Sequence, residues 1–104
     1  IRSHRGLEFI PLQDIRCFAA DQKYIAVHHT RGMSVLDGSL KQLEEEFSDR
    51  FVRIHRNALV SIQHIERLQT AVGGQTAVHV QQLDFQPGVS RRLVRPLRFL
   101  LSYR

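Results

Sequence analysis

Short β-branched and aromatic runs, each closed by turn-forming residues, follow one another along almost the whole chain. Leu7–Leu12 (LEFIPL) and Ile15–Ala20 (IRCFAA) are split by Gln13-Asp14. Asp21-Gln22 reads as a turn, because an Asp carboxylate can accept from the backbone two residues on. Tyr24–His28 (YIAVH) and Met33–Leu36 (MSVL) flank Thr30-Arg31-Gly32 as the arms of a hairpin. Phe51–His55 (FVRIH) sets Phe51, Arg53 and His55 against Val52 and Ile54. Ile65–Val72 and Gln75–Leu83 flank Gly73-Gly74, which predicts a two-residue hairpin turn. Pro87-Gly88 makes a further turn before Val89-Ser90. Runs this short span a sheet, so the fold class is mostly β, a set of short antiparallel strands.

Two segments have helical spacing. Ser39–Phe47 (SLKQLEEEF) puts Leu40, Leu43 and Phe47 on one helical face. Ser39 as N-cap with Gln42 three residues on forms a capping box. Glu44–Glu46 fall toward the C-terminal end, where the helix dipole disfavours acids. In the C-terminal RRLVRPLRFLLSYR, Leu93, Leu97, Leu100 and Leu101 are helically spaced. Pro96 lies inside that stretch and predicts a break or kink after a first turn. Ala58–Ser61 reads as a single helical turn.

The 104 residues fit one domain, and the 42% hydrophobic content suffices for a core. Residues 1–6 (IRSHRG) read as the linker remnant of a longer polypeptide, and 91–104 as a basic helical segment. No apolar run approaches a membrane span, and no cofactor is expected. The single cysteine, Cys17, excludes an internal disulfide and a cysteine-based zinc site, which makes the cytoplasm the expected compartment.

Charge is placed unevenly. Residues 1–50 carry seven bases and eight acids, whereas residues 51–104 carry eight bases and two acids. Thirteen of the fifteen bases are Arg, whose planar fork suits phosphate and guanine edges. A basic half suggests a polyanionic partner.

Enzyme chemistry finds little support. His28 and His29 are adjacent and point to opposite faces of a strand, and His55, His64 and His79 lack a ligand-spaced carboxylate or cysteine. Cys17 sits in an apolar run. No nucleophile elbow or phosphate loop exists, and Gly73-Gly74 is better explained by positive φ in a turn. A recognition helix is excluded too, because the clearest helix carries three consecutive glutamates that duplex phosphates would repel. Arg91 and Arg95 have the R-x-x-x-R spacing that opens a PilZ-type cyclic-dinucleotide site, without that family's second element. An RNA-binding module is a further alternative, with Tyr24 and Tyr103 as its available stacking aromatics.

The remaining cluster is Phe51-Val52-Arg53-Ile54-His55-Arg56-Asn57-Ala58-Leu59-Val60-Ser61. A strand ends there in three hydrogen-bonding side chains. Asn pairs with adenine, Arg with guanine, and His reaches a phosphate or a base acceptor. A polar turn that merely caps a strand would look the same.

The cluster resembles the FxRIHRxxLV motif of LytTR-type DNA-binding domains, output modules of bacterial two-component response regulators. Phe18-Ala19-Ala20-Asp21-Gln22-Lys23-Tyr24 resembles the family's strand–turn–strand, Asp37–Glu44 its short acidic helix, and Val89-Ser90-Arg91-Arg92 its closing element. These motifs cover roughly residues 7–95. The wording ADQKY and RFVRIHRNALV most resembles the alginate-biosynthesis type of regulator.

The resemblance implies a β-β-β sandwich with one or two short helices, whose loops enter successive major grooves of promoter DNA and bend it. Carried over by position, Lys23, Arg56 and Arg91 would read bases. Gln22, Tyr24, Ser39, Lys41, Arg53, His55, Asn57 and Arg92 would contact the backbone or support the readers. The helix start at Ser39 and Lys41 agrees with phosphate chemistry at helix N-termini. Many members carry Asn where this chain has Ser61, a position read as structural. Lys23 and Arg56 also differ from the side chains of some relatives, so docking geometry transfers better than the sequence read. The resemblance further implies an N-terminal receiver domain, a phosphorelay acting on it, and a homodimer on direct repeats.

Overall fold

A computed structural model describes residues 2–3 and 6–104, with side chains described from residue 8 onward. The described residues form two antiparallel sheets and two α-helices. In chain order the strands are β1 (Arg2–Ser3), β2 (Gly6–Leu7), β3 (Ile15–Ala20), β4 (Ile25–His29) and β5 (Gly32–Leu36). After α1 (Leu40–Glu46) come β6 (Phe51–His55), β7 (Ala58–Ser61), β8 (Ile65–Thr70), β9 (Thr76–Val80) and β10 (Gly88–Val89), then α2 (Arg91–Ser102). The larger sheet has the order β2-β1-β5-β4-β3-β7-β6 and the smaller β10-β9-β8. Arg2, Ser3 and Gly6, read from sequence as part of a linker remnant, pair at the sheet edge together with Leu7. The rest of that remnant, Ile1, His4 and Arg5, lies outside the described residues.

The centre of the large sheet, β3 and β7, is buried on both faces, and strand alternation sorts the side chains. Phe18, Ile25, Val27, Leu36, Phe51 and Leu59 form one core, closed by Leu40 of α1. Cys17, Ile54, Ala58 and Val60 point the other way, against Ile65, Val78, Val80 and Val89 of the small sheet and Leu97 of α2. Burial pushes the Cys17 thiol up to about 12, so it stays protonated. α1 starts where its cap predicts, with the Gln42 amide donating to Ser39 Oγ at 3.1 Å.

Four expectations are corrected. Ala58–Ser61 is no helical turn but a strand, β7, held between β3 and β6 and buried at every residue. With apolar groups on both faces it shows no alternation, and a short unbroken apolar run does not separate strand from helix. Leu7–Leu12 is not one strand, because strand pairing ends at Leu7 and a 3-10 turn starts at Leu12, directly after Pro11. The Gly73-Gly74 hairpin exists, but its loop is longer. The Ala71 amide donates to Gln75 O at 2.7 Å and the Gly74 amide to Ala71 O at 2.9 Å, leaving three residues in the turn. Gly74 takes φ +86°, the left-handed position of a three-residue hairpin. Finally, α2 runs unbroken through Pro96. Pro96 removes one donor, but Leu93, Leu97, Leu100 and Leu101 pack on the sheet on both sides of it, and that burial holds the helix together.

Candidate nucleic-acid interface

Strand register collects the basic turns at one end of the sandwich. β3 ends at Ala20 and β4 begins at Ile25, so residues 21–24 form a tip. Ile25 pairs with Leu36, which brings Asp37–Ser39 and the start of α1 to the same end. His55 pairs with Ala58, so Arg56-Asn57 forms a second tip. Ala19 pairs with Ala58, and the Ala20 amide donates to Asn57 O at 2.8 Å, which sets the two tips side by side.

A β-bulge brings in the third basic group. Arg53 pairs with Leu59 and His55 with Ala58, leaving Ile54 as the extra residue. Its carbonyl accepts from the Ser90 amide at 2.8 Å, so the start of α2 docks beside the second tip. The backbone segments that carry Lys23, Arg56 and Arg91 are therefore joined to one another at this end. His55 and Arg91 share one cleft of about 680 Å³ with Gln69, Gln75, His79 and Gln86.

Each tip is held by its own hydrogen bonds. Asp21 Oδ1 accepts from the amides of Lys23 (2.9 Å) and Tyr24 (2.8 Å), and those bonds lower the Asp21 pKa. Gln22, Lys23 and Tyr24 are all exposed around this turn. In the second tip His55 Nδ1 accepts from the Asn57 amide at 3.2 Å, so a neutral ring carries its proton on Nε2. Arg53 Nη1 donates to Arg56 O at 2.6 Å, while Nε and Nη2 donate to Glu44 Oε1 at 3.1 and 2.8 Å. Arg56, Asn57, Arg91, Arg92 and Lys41 are exposed at this end.

The sequence profile of the LytTr DNA-binding domain matches residues 5–102. The chain belongs to the LytTR family of DNA-binding domains. This LytTR domain is 46% identical over 101 residues to the positive alginate biosynthesis regulatory protein of Pseudomonas aeruginosa. The match takes in 96% of this chain and 41% of that regulator, so the LytTR domain spans about two fifths of its relative's length. Its fold is similar to the LytTr DNA-binding domain of a protein named as a methyl-accepting/DNA response regulator from Bacillus cereus. There the TM-score is 0.82 at 20% identity, over 97% of this chain and 93% of the other. The family is one of DNA binders, not of enzymes, and the expected β sandwich with two short helices is the fold observed. Among the described residues no helix is long and apolar enough to cross a membrane.

Two features of the basic end of this LytTR domain left no trace in the sequence pattern. Glu44 looked like a misplaced acid near a helix end, and its partner lies nine positions further on in a different element. The Ile54 bulge interrupts a strand whose alternation looks regular. Ser61 is buried, with Oγ 2.6 Å from His64 Nδ1, at the far side of β7 from the tip.

Proposed function

We propose that this domain is the sequence-reading output module of a two-component transcription factor. Lys23, Arg56 and Arg91 read base edges, because exposed Arg and Lys on fixed turns are suited to guanine in the major groove. Gln22, Tyr24, Ser39, Lys41, His55, Asn57 and Arg92 hold the sugar–phosphate backbone, which sets register without carrying sequence information. The observation that carries this reading is the meeting of two basic turns and the basic start of α2 at one end of the sandwich, joined by the Ala20–Asn57 and Ser90–Ile54 hydrogen bonds. From that end, the basic groups can enter successive major grooves of a bent promoter duplex.

The rest of the regulator is proposed from the family resemblance and from the greater length of the relative. An N-terminal receiver domain, phosphorylated in the cytoplasm, promotes dimers on direct repeats, and pairing multiplies the electrostatic contribution to affinity. Cyclic-dinucleotide and RNA readings are less well supported, since neither uses Lys23, Arg56 and Arg91 together.

The test is selection from a randomised duplex pool by this 104-residue chain at physiological salt, followed by fluorescence anisotropy. Enrichment of a short motif, lost on Arg91→Ala, supports sequence reading. Binding without enrichment, weakening only with salt, would reduce the basic end to a general polyanion surface.

A further inference from the structure

Arg53 stands on β6 three residues before Arg56 and carries a guanidinium, so phosphate contact is the obvious role for it. Its geometry argues otherwise. Nε and Nη2 both end on Glu44 Oε1, and Nη1 ends on the carbonyl of Arg56 at 2.6 Å. The side chain is only 21% exposed and its charge is paired with Glu44 across 2.8 Å. A guanidinium presents its donors in a rigid planar fork, so one group can hold a carboxylate and a carbonyl at once.

The geometry points to a latch in which Glu44 and Arg53 set the conformation of the Arg56-Asn57 turn and thereby its base preference, without either contacting DNA. Arg56 and Asn57 have three backbone groups fixed. Arg53 holds Arg56 O, His55 Nδ1 accepts from the Asn57 amide, and the Ala20 amide holds Asn57 O. Such a turn does not have to be ordered when DNA arrives, which lowers the entropic cost of binding. Of the three bonds, the first ties the turn through Arg53 to α1. Glu44 is thus a positioning residue for Arg56, although an acid near phosphates repels them. The proposal rests on the reading of the Arg56-Asn57 turn as a base contact.

The experiment compares the wild-type chain with Arg56→Ala, Arg53→Lys, Arg53→Gln, Glu44→Ala and Glu44→Gln. Each is titrated by anisotropy over a range of salt, against the duplex that wild type selects and a scrambled duplex. Arg53→Lys keeps the charge but loses the fork, so the preference for the selected duplex should fall roughly tenfold, the scale of losing a charge-assisted hydrogen bond. Its salt slope should not change. Glu44→Ala should give the same loss with scrambled-duplex affinity maintained or raised, and Glu44→Gln, which keeps an acceptor oxygen, should recover most of it. If Glu44→Ala does not fold, as judged by circular dichroism, Arg53→Lys and Glu44→Gln still decide the matter. A wild-type preference in Arg53→Lys, beside a lowered one in Arg56→Ala, would overturn the latch. So would an Arg53→Gln variant whose salt slope flattens by about one unit while Glu44→Ala is silent, because Arg53 would then be a phosphate contact. No effect of Arg56→Ala on preference would instead defeat the reading of the turn itself, and the latch with it.

Discussion

The amide of Ala20 and the carbonyl of Asn57 meet at 2.8 Å, and this bond joins the two basic tips, residues 21–24 and 56–57, side by side. It lies just beyond the β3–β7 ladder, whose last pair is Ala19 with Ala58. The Ser90–Ile54 bond does the same for the start of α2. Spacing between the three proposed readers is set by backbone contacts, so side-chain changes at Lys23, Arg56 or Arg91 should alter what is read without altering where.

Arg91→Ala and Lys41→Ala should separate readout from backbone contact. Loss of the Arg91 fork should cost about 1–3 kcal/mol on the selected duplex and relax specificity at one base pair. Lys41→Ala should weaken all duplexes alike and flatten the salt slope by about one unit. Anisotropy on selected and scrambled duplexes checks both, and equal behaviour of the two variants would remove the assignment.

Asp21 tests whether the first tip must be preorganised. Its carboxylate accepts from two successive amides, those of Lys23 and Tyr24. Asp21→Ala should free the turn and weaken binding to the selected duplex, even though it removes an acid from a DNA-facing end. Asp21→Asn keeps an acceptor oxygen and should retain most of the preference. Stronger binding by Asp21→Ala on the selected duplex would mean that charge outweighs loop order here.

Leu97 is 2% exposed and anchors α2 to the sheet core. Leu97→Ala should cost about 2–5 kcal/mol, visible as a lowered denaturation midpoint. The same variant should raise the reactivity of Cys17, which is fully buried in that core with its thiol pushed up to about 12. In the wild-type chain Cys17 should react with a thiol reagent only as fast as the core opens, so its labelling rate reports that opening. Rapid labelling of the native wild-type chain would contradict the burial.

Much of this architecture is legible in the residues, and the exceptions have physical causes. Ser39 marks the start of α1 because a cap is a local interaction. The Tyr24–His28 and Met33–Leu36 runs give a hairpin because one side of each strand alternates with the other. β7 is hidden, since a central strand buried on both faces has no polar rhythm. Pro96 misleads because local propensity is overruled by the leucines packed around it. At the site, the basic turns are visible as composition, but their assembly at one end depends on register and on a bulge at Ile54. The Glu44–Arg53 pair joins elements whose contact no local spacing encodes.

Two histidines away from the basic tips should make the fold sensitive to acid. Burial lowers the pKa of His28, only partly offset by Asp84, and its ring packs edge-on against Phe85 at 4.9 Å. Burial likewise lowers that of His64, helped by the charge of Arg16 and opposed by Asp14. The usual value is 6.5 for both, so below that pH the unfolded chain binds protons that the folded chain resists. Stability contributed by the neutral rings is complete above about pH 6.5 and is lost as pH falls toward the lowered folded values. Thermal melts should thus show a midpoint that is flat between pH 7 and 8 and declines from about pH 6.5 downward. His28→Gln, which cannot titrate, should reduce the slope of that decline above the carboxylate range. An unchanged slope in both His28→Gln and His64→Gln would assign the acid sensitivity to other groups.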